Sequence, residues 1–83
     1  MLDKLKQLKE ARDIQKNLQN EKFSEERDGV GVVINGVFSV EKVFLNAELS
    51  KEGQENLIRE CFNAAIKRAQ TNMAAKFSGM VRG

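Results

Sequence analysis

Between Asp28 and Leu45 the chain reads Asp-Gly-Val-Gly-Val-Val-Ile-Asn-Gly-Val-Phe-Ser-Val-Glu-Lys-Val-Phe-Leu, and this stretch narrows the possible folds more than any other. Its β-branched residues favour extended backbone. Two dipeptides, Asp28-Gly29 and Asn35-Gly36, are turn signals. Asn-Gly is the stronger, because both central residues of a type I′ hairpin turn need positive φ. The expectation is a hairpin joining strands at residues 30–34 and 38–45. A weaker strand at about 22–27 precedes Asp28-Gly29 and completes a three-stranded antiparallel meander.

Alternation places Val30, Val32 and Ile34 on one face of the middle strand. In the last strand Val43 and Leu45 share one face, and Phe38, Val40 and Phe44 the other. Both faces of that strand are therefore apolar, whereas a single helical layer covers only one. The second face calls for another helix or another subunit. Val32, Ile34, Val40, Val43, Phe44 and Leu45 are the candidate dimer interface.

A helix is expected on each side of the sheet. Over residues 2–21, Leu2, Leu5, Leu8, Ala11, Ile14 and Leu18 recur at spacings of three and four among good helix formers. This stripe drifts around the axis and does not keep a strict heptad. Over residues 51–78, Ile58, Phe62, Ala65, Ala69, Met73 and Phe77 keep the cleanest period in the chain. Ser50 suits the N-cap and Glu52 and Glu55 the positive end of the helix dipole, while Gly79 marks a stop. The order α-β-β-β-α defines an α+β class in one domain, residues 1–83.

A chain of 83 residues buries only about 60–65% of its unfolded surface, which leaves a monomer marginal. One cysteine rules out an internal disulfide and nothing suggests a structural metal, so association of two copies is the expected support. The N-terminus has neither an apolar h-region nor a cleavage site, and no apolar run approaches a membrane span. A cytoplasmic protein is expected.

Enzyme chemistry finds little to work with. The chain has no histidine, which removes the commonest general base and metal ligand. Cys61 stands among apolar neighbours and reads as a small core residue. Asp28-Gly29-Val30-Gly31 lacks the Gly-Lys-Ser/Thr of a phosphate loop. Glu25 and Glu26 point to opposite faces of a strand and converge on nothing. No catalytic residue, cofactor or metal is expected.

Charge is arranged by position. Net charge is only +2, but residues 1–20 carry +2, residues 21–60 carry −4 and residues 61–83 carry +4. A polyanion would be steered to the two ends. Lys9, Arg12 and Lys16 are spaced i, i+3, i+7 and fall within about 60° around a helix. Asp3, Glu10 and Asp13 are centred to one side of them. The stripe is roughly 10 Å long, on the order of the spacing of backbone phosphates. Lys67, Arg68, Lys76 and Arg82 add charge at the other end without an acid nearby in sequence, and Lys4 and Lys6 extend the first set. All five aromatics are phenylalanines at core-like positions, so a stacking platform for single strands is not expected. No short helix after a tight turn suggests major-groove reading. Nucleic acid, if bound, would be held by its backbone and shape.

Residues 30–36 and 40–49 together resemble the strand–Asn-Gly–strand core of the YbaB/EbfC nucleoid-associated proteins. Cys61-Phe62-Asn63-Ala64-Ala65-Ile66-Lys67-Arg68-Ala69 resembles the centre of their last helix. Asn46 and Ala47 stand where that family has aspartate and proline, and Ala64 where it has an acid. The resemblance covers nearly the whole chain. It implies a homodimer with protruding helical arms that binds DNA and affects nucleoid organisation and gene expression. Lys4, Lys6, Lys9, Arg12, Lys16, Lys67, Arg68, Lys76 and Arg82 are then the candidate phosphate contacts. A rival reading is a protein-interaction or small chaperone-like dimer that uses apolar arms and ignores DNA.

Overall fold

A computed structural model describes the backbone of residues 2–82 and the side chains of residues 6–78. The elements run α1 (Leu2–Asn20), β1 (Lys22–Arg27), β2 (Val30–Asn35), β3 (Val40–Phe44) and α2 (Lys51–Arg82). The expected α-β-β-β-α order and the antiparallel meander β1-β2-β3 are both present. Ser50 caps α2 as expected, its Oγ accepting from Gly53 N–H at 3.0 Å. Gly79 does not stop α2, which continues to Arg82. A lone glycine weakens a helix by about 1 kcal/mol but does not by itself end one.

The two turns exchange the roles that sequence assigns them. Asp28 and Gly29 both have positive φ, 52° and 83°, and form the two-residue hairpin between paired Arg27 and Val30. Asn35-Gly36 instead opens a longer loop. Asn35 N–H donates to Ser39 O at 2.9 Å, and Asn35 Oδ1 accepts from the N–H groups of Val37 and Ser39, each at 3.0 Å. The residue in the left-handed region is Phe38, at φ 65°, so β3 begins only at Val40. Gly36 is needed for closeness. Its N–H donates to Leu18 O at 2.8 Å, and a Cβ there would stand 2.5 Å from that oxygen. Neither Asn35 nor Gly36 takes the positive φ that a type I′ turn requires.

The core lies between the sheet and α2. Val32 and Ile34 pack against Cys61, Ala65 and Ala69, with Phe23, Ile58, Phe62 and Ile66 around them. Cys61, Ala65 and Ala69 are small and one turn apart, which lets α2 lie close on β2. Cys61 is fully buried, its Sγ 3.5 Å from Val30 O, and burial pushes its thiol pKa up. Val32 and Ile34 are therefore core residues of their own chain, which corrects their expected place on an interface.

The last strand is also corrected. Val33 pairs with Lys42, but Ile34 pairs with Val40, so Glu41 is an extra residue in β3. This bulge turns Val40 to the same side as Val43, the side of α2, instead of the side of Phe44. The opposite face carries Lys22, Ser24, Glu26 and Lys42 around a half-buried Val33, with Phe44 exposed on β3. The β3 flank of the α2 side is uncovered as well. Val40, Val43 and Leu45 are 53%, 48% and 66% exposed there, because α2 lies over β1 and β2.

Candidate nucleic-acid interface

Among the described residues, arm α1 touches the rest of the fold near its C-terminal end. From residue 6 to 20, Leu18 is the one buried side chain and Ile14 the one half-buried. Leu18 is held by the Gly36 amide, and Glu21 N–H closes the helix on Asn17 O at 3.1 Å and Leu18 O at 3.2 Å. Beyond that root the helix stands away from the sheet, and the molecule extends to 59 Å along its longest axis but only 13 Å along its shortest. Lys9 and Lys16 lie roughly opposite Leu18 around the helix, so the cationic stripe faces outward.

The candidate cations divide into two groups. Lys6, Lys9, Arg12, Lys16 and Lys67 are exposed, and among the described residues none has a carboxylate within 4 Å. Arg68 and Lys76 are engaged within the chain. Arg68 donates to Glu25 Oε1 at 3.3 Å and to Ser24 O at 3.2 Å, with its guanidinium 5.6 Å over the Phe23 ring. Lys76 Nζ lies 3.1 Å from Glu21 Oε1. The side chains of Lys4 and Arg82 lie outside the described residues. Sequence reasoning had no signal for these pairs, since their partners lie more than 40 positions away.

The other end of the molecule is acidic. Asn46 Nδ2 donates to Asp28 O at 2.8 Å, which ties the β3–α2 connection to the first hairpin. Around that end stand Glu26, Glu48, Glu52 and Glu55, all exposed. Positive charge on α1 and an excess of acids at the far hairpin, where Arg27 and Lys51 are also exposed, polarise the molecule.

Against the uncovered flank of β3, Leu45, Lys51, Gln54, Glu55 and Ile58 line a shallow, mainly apolar groove of about 210 Å³. Together with the unpaired edge of β3 it forms an open apolar feature on this side of the molecule.

The sequence profile of the YbaB/EbfC DNA-binding family matches residues 1–83, the full length. The chain belongs to the YbaB/EbfC DNA-binding family. No curated protein and no solved structure matches it. Among the described residues no helix is long and apolar enough to cross a membrane, and no group of three His, Cys, Asp or Glu side chains is placed to hold a metal ion.

Proposed function

We propose that this YbaB/EbfC protein is a non-enzymatic homodimer in the cytoplasm that binds duplex DNA through its phosphates and acts in nucleoid organisation or gene expression. One observation carries the reading: Lys9, Arg12 and Lys16 are exposed on the outward side of α1, and among the described residues no carboxylate lies within 4 Å of them. Lys6 and Lys67 add to this charge. Arg68 and Lys76 would reach phosphate only by leaving Glu25 and Glu21. Val40, Val43, Phe44 and Leu45 are the residues we assign to the dimer contact. A second copy there would cover the β3 flank and its open edge, and would give the particle two cationic arms.

Fluorescence anisotropy with unrelated duplexes in rising salt tests this. We expect affinity to fall steeply with salt, as counterion release requires, and to vary little with sequence. Binding weaker than about 100 μM at low salt, below an ordinary non-specific site, would contradict it. The 62% exposed Leu8 on α1 favours the second reading, a protein-binding arm. That reading predicts no DNA binding and a salt-insensitive protein complex.

A further inference from the structure

Glu21 is the single residue between α1 and β1, and its carboxylate does not face solvent alone. One oxygen accepts from Asn72 Nδ2 and the other pairs with Lys76 Nζ at 3.1 Å. Asn72 and Lys76 are four apart, so both lie on one face of α2. They belong to the part of α2 beyond Ala69, the last of its buried core residues. Two segments that leave the sheet, the root of α1 and the distal third of α2, are thus joined through one side chain.

We propose that Glu21 is a positioning residue for DNA binding: held by Asn72 and Lys76, it sets the angle between α1 and distal α2, and so where the cationic stripe meets DNA. This rests on the DNA-binding reading above. The backbone fixes the root of α1 to the β2–β3 loop, since Gly36 N–H donates to Leu18 O at 2.8 Å and to Glu21 O at 3.2 Å; the Glu21 side chain adds the link from that root to distal α2. The lever is long. A helix of 19 residues spans about 28 Å, so a rotation of about 15° at its root moves its tip by about 7 Å. That displacement is comparable to the length of the Lys9–Lys16 stripe. The same geometry gives Lys76 a different task from Lys9: it orients the arm instead of meeting phosphate.

Residual dipolar couplings on the full chain read the α1–α2 angle directly, without DNA. We expect Glu21→Ala to change that angle and Lys76→Gln to change it in the same sense. With a duplex, Glu21→Ala should bind roughly two- to fivefold more weakly, the scale of a partly exposed ion pair, although it has shed a negative charge. Its salt dependence should be unchanged, because every phosphate-facing cation of α1 is still in place. The double variant should bind no more weakly than the weaker single one, since both break one link. An unchanged angle in both variants would overturn the proposal. So would tighter binding of Glu21→Ala with a steeper salt dependence, which would mark Lys76 as a phosphate contact released from Glu21. If Glu21→Ala fails to fold, Lys76→Gln alone decides by the same angle. Absence of DNA binding by the unaltered protein would instead refute the DNA-binding reading and leave the angle measurement standing.

Discussion

Replacing Gly36 by alanine is predicted to loosen the root of α1, and the cost can be worked from the interatomic distances. The new Cβ would stand 2.5 Å from Leu18 O and 3.1 Å from Leu18 C and Cα. To reach even 3.0 Å from that oxygen, the hairpin and the helix end must part by at least 0.5 Å. Neither can do so freely. The obstacle is backbone, the Leu18 side chain is 2% exposed, and the Gly36 amide already binds the same oxygen at 2.8 Å. Overpacking of this kind costs about 1–3 kcal/mol, and weakening the hydrogen bond adds up to about 1 kcal/mol. Lower entropy of the unfolded chain returns only about 0.4–1 kcal/mol. The net loss is centred on about 2 kcal/mol, and each kcal/mol lowers Tm by about 4–8 °C in a domain of this size. Thermal melts followed by circular dichroism, at equal protein concentration, measure it. A Gly36→Ala protein that melts within about 2 °C of the parent, against a central expectation of about 8–16 °C, would contradict the view that close approach fixes this glycine.

Two further outcomes are expected. Val43→Asp puts a charge on the uncovered β3 flank at a cost of several kcal/mol if a second copy covers it, so the variant should run as a monomer in sizing chromatography; an intact dimer would place the interface elsewhere. Glu41 is held below the ordinary carboxylate range chiefly by its hydrogen bond from Lys22. A lowered folded-state pKa means that its contribution to stability is present above the unfolded value and is lost as pH falls through the folded one. Carboxyl NMR should show Glu41 titrating below a normal glutamate and moving up in Lys22→Gln, and a normal titration in the parent would contradict the pair.

Local features of the sequence translated into structure, and long-range ones did not. Ser50 as a cap, Cys61 as a core residue and the Lys9–Arg12–Lys16 stripe depend on a few neighbouring residues, and helical geometry alone locates them. The turns were legible as positions but not as types. Asn35-Gly36 forms no tight turn: neither residue has positive φ, the Asn35 carboxamide accepts from Val37 and Ser39, and Gly36 instead packs against the end of α1, fifteen or more residues away. The resulting loop holds Phe38 at positive φ and delays β3, and the Glu41 bulge then turns Val40 to the face of Val43. Strict alternation cannot foresee this, because one inserted residue reverses every side chain on one side of it. The site shows the same division. Exposed lysines on α1 follow from an amphipathic pattern, whereas the pairs Glu25–Arg68 and Glu21–Lys76 exist only once α2 lies across the sheet.

The central claim is that DNA is held by the outward cations of α1. Its most direct test is a salt titration of duplex binding by the parent and by a Lys9→Gln, Arg12→Gln, Lys16→Gln variant whose thermal melt is unaltered. The variant should bind more weakly, and its log–log salt slope should be shallower by about 0.9 for each phosphate that it no longer neutralises. Equal affinity and equal slope in the two proteins would show that DNA, if bound, is held by some other surface.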